Sequence, residues 1–356
     1  MFYTIIISHH RKKDNRFVTL QKYTFLGQKH ILLYLLLCYN FPKEGSSLKN
    51  PPMGRKFNMS NEQMKKEAAA CGAPYEKLGR ALVWHDEFDK GEIDFDKWSF
   101  VRTMREPDHE YDNSEKHIRV EDGKLHMQVH RSEKEGFTYS LSEGFTTDDT
   151  MLFKYGYLEA RARVPYRVGA WPSFWCTSNT SLRESEFTME VDIVEVWSSE
   201  TGFCPNLHKW GPNWKHMALP VGDGWPSPKY TFKNTENLIN EYHTYGFEWD
   251  PEYMHFYVDD EKICTFELTG EKGAFGSDYF PETDMFQDWL RVIFNNEVFS
   301  QKSRWEASTP TLKEDSEMPI DYYVDYVRLY QNADKGEVFK TKNEIAAIVA
   351  EREANK

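Results

Sequence analysis

Three carboxylates fall within six residues, at Glu190, Asp192 and Glu195. They alternate with Met189, Val191 and Ile193, so a strand through them shows Glu190 and Asp192 on one face and the apolar side chains on the other. Glu195 breaks the alternation, since its odd spacing from Glu190 turns it to the apolar side. One extra residue at Ile193-Val194, forming a β-bulge, returns all three acids to a single face. Acids crowded on one face repel, which holds one protonated while another stays ionised. Glycoside hydrolysis uses such a pair, one carboxyl to protonate the leaving oxygen and one to attack the sugar or activate water. Spacing alone leaves open a solvated acidic strand face and a site for a hard cation such as calcium.

The surroundings favour a sugar. Upstream, Trp171 and Trp175 lie in one short run, and a pyranose offers apolar C–H faces that stack on indole rings. Downstream, Asn206, His208 and Trp210 alternate, so a strand there shows all three on one face. The whole chain is rich in such rings, with 11 Trp, 20 Tyr and 24 Phe in 356 residues. Most are expected in the core. A net charge of −13 argues against a protein that neutralises phosphate backbones, so no nucleic-acid partner is expected. The five cysteines (Cys38, Cys71, Cys176, Cys204, Cys264) are scattered without a paired motif and are read as free thiols.

The elements that must carry these residues are strands. From Ala81 onward the pattern has period two: Leu158, Ala160, Ala162 and Val164 share one face, and Tyr157, Glu159, Arg161 and Arg163 the other. Similar runs recur to Tyr330, broken by Gly, Asp, Asn and Pro clusters and without helical patterns between them. This predicts an all-β fold, a two-sheet antiparallel β-sandwich of the jelly-roll, concanavalin-like kind, with short terminal helices. One domain is expected over residues 75–331. Before it, residues 59–74 should form a short helix from Met64 to Cys71, capped by Ser60 and Gln63 and ended by Gly72. After it, residues 332–356 read as a helical tail, helical from Asn343 to Glu353. Residues 1–58 have no periodicity and are expected to be a leader, either an export signal or an extension ahead of a start at Met53 or Met59. Their apolar run, Ile31–Tyr39, is too short to span a bilayer.

The chain resembles glycoside hydrolase family 16, the β-jelly-roll endo-glycanases. Glu190-Val-Asp192-Ile-Val-Glu195 looks like the family's bulged E-x-D-x-x-E motif. The likeness continues in order through Leu82–Phe88 with Trp98, Val120–Leu125, Tyr155–Arg161, Trp171–Trp175, His243–Trp249 and Val324–Tyr330. By this resemblance Glu190 would be the nucleophile of a retaining double displacement and Glu195 the general acid and base. Asp192 would hold the charges apart. Trp171, Trp175, His208 and Trp210 would line the subsites, and Arg102 and Arg105 would stand in a loop that meets substrate, where a guanidinium suits sulfate or uronate. No cofactor is implied for catalysis, while a structural calcium would fall on Glu87, the Gly123 carbonyl and Asp325. The implied partner is a polysaccharide, met by a monomer that is secreted or at the cell surface, or cytoplasmic if the leader is not an export signal.

The chain departs from the family at Val292–Phe299. Glucan-active members tend to carry Asn-Leu-Ala-Val-Gly-Gly there. The present Asn295-Asn296-Glu297 is closer to the galactan-active branch, as is His208-Lys209-Trp210. A β-galactan of the agar, porphyran or carrageenan type is therefore the first expectation, with β-1,3-glucan as the alternative. A carbohydrate-binding protein on the same fold, without catalysis, is the alternative of another class.

Overall fold

Alternating apolar residues become strands once each has a covered face, and here two sheets cover one another. The computed structural model describes residues 9–12, 15–18, 61–103, 106–185, 187–203, 205–211, 216–218, 241–268, 287–303 and 309–355. The chain divides into two units, residues 1–56 and 57–356. In the first, His9–Lys12 and Asn15–Val18 pair as an antiparallel hairpin. The basic stretch of the expected leader thus contains strand, and the apolar run Ile31–Tyr39 lies outside the described residues. Among the described helices none is long and apolar enough to cross a membrane.

In the second unit the described strands make a nine-stranded and an eleven-stranded sheet. The nine-stranded sheet runs through His216–Ala218, Asn206–Trp210, Thr188–Glu195, Ala170–Ser178, Leu290–Val298, Gly144–Thr146 and Ser99–Val101. In the other, Gly156–Arg163 sits between His243–Trp249 and Ile320–Gln331. Among the described strands pairing is antiparallel except between His109–Tyr111 and Tyr139–Leu141, which run parallel. Leu158, Ala160 and Ala162 meet Phe174, Val191, Phe247 and Phe294 in one buried cluster. Phe174 stacks on Phe294 at a centroid distance of 4.7 Å. Trp98 stacks on Phe145 at 4.5 Å, and its indole N–H donates to Asp86 at 2.7 Å, so a fully buried tryptophan keeps its hydrogen bond.

The outer face of Gly156–Arg163 is not the solvated face its alternation suggests. Tyr157 packs with Met64, Ala68, Leu82 and Tyr330, and Glu159 is buried beneath Lys77, whose ammonium reaches it at 2.5 Å. The cause is the segment ahead of the domain. Helix Asn61–Cys71 places Met64 and Ala68 four residues apart on one face and lays them on this sheet. It starts three residues earlier than predicted and ends where predicted, at Gly72, whose φ of +76° suits a residue without a Cβ. Ser60, its proposed cap, lies outside the described residues. The tail helix, Lys342–Ala354, begins with a capping box between Thr341 and Glu344 and buries Ile345 against Leu152 and Leu182.

The tail is tied to the sandwich by charge as well. Arg80 is buried, and its guanidinium donates to Glu337 and to Glu248, each at 2.8 Å. Removing one member of a buried network strands the others, at a cost of about 3–5 kcal/mol. Arg80→Ala should therefore lower stability by about that amount in urea denaturation, and an unchanged midpoint would show that the network holds nothing together.

Candidate active site

The acidic strand Thr188–Glu195 lies between two strands that supply the rest of the site. Its register with Ala170–Ser178 pairs Phe174 with Val194 and Trp175 with Asp192, so Ile193 is the extra residue. The β-bulge stands where the sequence placed it. Ile193 and Val194 are both buried in the core, and beyond them Glu195 returns to the face of Glu190 and Asp192, opposite Ser173. On the other side Glu190 pairs with His208, Thr188 with Trp210 and Asp192 with Asn206. Cross-strand partners share a face, so all six residues stand on the side of the sheet away from the core.

Each glutamate accepts a hydrogen bond from an indole. Trp210 Nε1 donates to Glu190 Oε2 at 2.9 Å, and Trp171 Nε1 donates to Glu195 Oε1 at 2.9 Å. His208 Nε2 stands 3.1 Å from Asp192 Oδ2 and 4.0 Å from Glu190 Oε1. Trp175 donates instead to Asn295 at 2.7 Å. Trp171 is itself stacked on Phe299 at 4.7 Å with an interplanar angle of 11°, and Trp197 meets it edge-on at 4.7 Å. Sequence reasoning missed Phe299 and Trp197 as site residues, although Phe299 ends a run already singled out and Trp197 follows Glu195 by two positions. What joins them to Trp171 is strand pairing at long sequence separation.

Gly169 makes this placement of Trp171 possible. Its φ is +83°, and a Cβ there would stand 2.3 Å from the backbone nitrogen of Leu312. Ser198 closes the same turn, taking the Gly169 N–H on its hydroxyl and donating its own N–H to the Ala170 carbonyl. Only a glycine lets the chain pass this close while entering the strand.

Burial raises the pKa of all three acids. For Glu195 the rise is to about 8, with the charge of Asp192 adding to it and the Trp171 N–H and His208 opposing. Burial and Asp192 raise Glu190, against the pull of His208 and the Trp210 N–H, and burial alone raises Asp192. Burial, an indole N–H and the imidazole act on both glutamates, so the cluster as a whole retains protons near neutral pH and the crowded acids share them.

Other proposed residues fall elsewhere. Arg102 follows the edge strand Ser99–Val101, four strands from the acidic one in the sheet order, about 19 Å at ~4.8 Å per strand. It is exposed, pairs with Glu143 at 2.8 Å and lies over the Tyr111 ring, so no described contact brings it to the acids. Arg105 lies outside the described residues. The suggested calcium donors approach one another along the backbone, because Ile320–Gln331 leaves Lys124–Arg131 near Gly123 and joins Arg80–Asp86 next to Glu87. Their side chains do not fit the ion. Two carboxylates and one carbonyl fall well short of the six to eight oxygens calcium takes, and Arg161 and Arg328 already neutralise the carboxylates, Asp325 at 2.5 Å and Glu87 at 3.0 and 2.7 Å. Nor do Glu190, Asp192 and His208 form an oxygen cage: their ligand atoms lie within 4.8 Å of one another, but an imidazole and an indole N–H share the space.

The profile of the "Glycosyl hydrolases family 16" matches residues 105–290. Among curated relatives, the glucan endo-1,3-beta-glucosidase A1 of Niallia circulans is 24% identical over 287 residues, covering 74% of this chain and 40% of that protein. The keratan-sulfate endo-1,4-beta-galactosidase of Sphingobacterium multivorum is 22% identical over 295 residues, covering 81% and 63%. This chain thus spans less than two thirds of either. A solved structure described under endo-acting O-glycanases of the human gut microbiota that initiate mucin breakdown superposes with a TM-score of 0.56 at 23% identity, over 74% of this chain and 95% of that one. That likeness speaks to the fold.

A carboxyl whose pKa is raised on folding stabilises the protein least where it is ionised. Below about pH 4.5 Glu195 is protonated in both folded and unfolded states, and stability is lost as pH rises towards 8. Glu195→Gln should be nearly neutral at pH 4 and progressively stabilising to pH 8, followed by thermal denaturation across pH. A gain independent of pH would contradict the raised pKa.

Proposed function

This chain belongs to glycosyl hydrolases family 16, and on that footing we propose that it is a retaining endo-β-glycosidase acting on a polysaccharide. The observation that carries the reading is the bulged acidic strand, with an indole N–H on each glutamate and His208 beside Asp192. In the proposed reaction Glu190 attacks the anomeric carbon while Glu195 gives its proton to the departing oxygen. A covalent glycosyl-enzyme results. Glu195, now ionised, takes a proton from water, which displaces Glu190 and restores the configuration. Asp192 lies between them and keeps Glu190 and His208 in place. Burial raises both glutamates, and an indole N–H with His208 opposes the rise at each, so the division of roles follows the order of the acidic motif rather than these shifts.

For substrate, we propose a galactose-containing β-linked chain. Glu297 stands opposite Trp171 in the register, buried and held by His109 at 3.2 Å, where glucan-active members tend to have glycine. The keratan-sulfate galactosidase matches a larger share of this chain than the glucanase does. β-1,3-Glucan is the second reading, favoured by the relative from Niallia circulans.

A panel of agarose, porphyran, κ-carrageenan, keratan sulfate, laminarin and lichenan tests the substrate. Cleavage of a galactan supports the first reading, cleavage of laminarin alone the second, and binding without cleavage of any would leave a carbohydrate-binding protein. On a cleaved substrate kcat should be bell-shaped in pH, falling on the acid side as Glu190 is protonated and on the alkaline side near 8 as Glu195 loses its proton. Glu195→Gln should cost roughly 10²–10⁴-fold, flatten the alkaline limb and recover with azide or a good leaving group. NMR of the first-formed anomer should show retention. Inversion would exclude the covalent intermediate.

A further inference from the structure

Behind the sandwich, on the sheet that does not carry the acids, three unlike side chains converge. Cys71 is the last residue of helix Asn61–Cys71, His85 belongs to strand Arg80–Asp86, and Glu87 follows that strand. All three are half-buried. The thiol sulfur lies 4.0 Å from His85 Nδ1, the Glu87 Oε1 oxygen lies 3.1 Å from the same nitrogen, and a ligand atom from each falls within 4.8 Å of the others.

The thiol hydrogen is directed to the Ala68 carbonyl at 3.5 Å, so no hydrogen-bonded relay runs from Cys71 through His85. An imidazole nitrogen either carries one hydrogen or offers one lone pair, so Nδ1 can donate to the carboxylate or accept from the thiol, and cannot do both. In a nucleophile–base–acid triad the two partners sit on different ring nitrogens. Here sulfur, nitrogen and oxygen surround a common point. From that convergence we propose that Cys71, His85 and Glu87 bind a borderline divalent cation of the zinc type.

The geometry suits it. Bonds of about 2.0–2.3 Å at tetrahedral angles put ligand atoms roughly 3.3–3.7 Å apart, between the two separations seen, so small rotations close the site. The donor set selects the metal, since thiolate and imidazole favour zinc and disfavour calcium or magnesium. Arg328, whose Nε and Nη2 hold the two oxygens of Glu87, supplies the outer hydrogen bonds that orient a ligating carboxylate. A water would complete the coordination. The ion would pin the end of the helix to the strand beneath it, where the apolar contact comes from Met64 and Ala68.

The proposal does not depend on the proposed activity, because the ligands and the acidic strand belong to different sheets. The metal-stripped full chain, titrated with zinc chloride, should bind one equivalent by calorimetry and gain thermal stability with metal concentration. Cobalt substitution should give a thiolate-to-metal charge-transfer absorption. Cys71→Ser should abolish that absorption and the zinc-dependent shift, as should His85→Gln, while Glu190→Ser and His208→Ala retain both. Polysaccharide cleavage should be the same for Cys71→Ser and the unaltered chain. Absence of zinc binding, binding indifferent to Cys71→Ser, or binding lost with His208→Ala would each overturn the assignment.

Discussion

Three carboxylates on one strand face repel one another, and burial removes the water that would screen them. The rest of the site is organised around that constraint. An indole N–H meets each glutamate, an imidazole stands beside the aspartate, and the bulge sets Glu195 one place further along than a regular strand would. Each of these partners is held in place by packing or pairing: Trp171 is wedged against Phe299 and Trp197, and Trp210 and His208 lie on a strand paired with the acidic strand itself. Such a fixed array of donors is what lets charge move during a reaction without reorganising the protein.

The sandwich supplies the stiffness. Strands Ala170–Ser178 and Leu290–Val298 pair without interruption through nine residues, and their inward side chains, such as Phe174 and Phe294, lock together in the core. A side chain on the outer face is then positioned by a backbone that has no freedom to respond to it. Segments outside the sandwich contribute as well. Helix Asn61–Cys71 and the Arg80–Glu337–Glu248 network close the far side of the second sheet, so the residues flanking the domain are part of its packing.

Local patterns foretold much of this. Period two marked the strands, and the odd position of Glu195 among apolar neighbours was enough to place a bulge at the correct residue. The alternation of Asn206, His208 and Trp210 correctly set them on one face. What escaped depends on partners distant in sequence. Trp171 read as a stacking surface, but its N–H is used by Glu195 and one ring face by Phe299, 128 positions further on. Tyr157 and Glu159 read as solvent-facing because the helix that covers them belongs to another segment. Arg102 was placed near substrate by resemblance, and it lies four strands from the acids, paired with Glu143. The calcium donors were matched by position, while the arginines that occupy their carboxylates, Arg161 and Arg328, lie on neighbouring strands.

The extra residue at Ile193 also constrains how this protein can change over evolutionary time. Straightening the strand at unchanged length would turn Val194 outward and carry Glu195 between the sheets, where an unpaired carboxylate is intolerable, whereas loss of Ile193 itself would leave Glu195 an even number of places from Glu190 and on the same face. What the bulge needs is that Ile193 and Val194 both stay apolar and buried, so substitution of either by a polar residue is closed to the strand. New specificities would instead be expected to arise from the strand ends and the connections between them, where length can vary without moving a charge into the core.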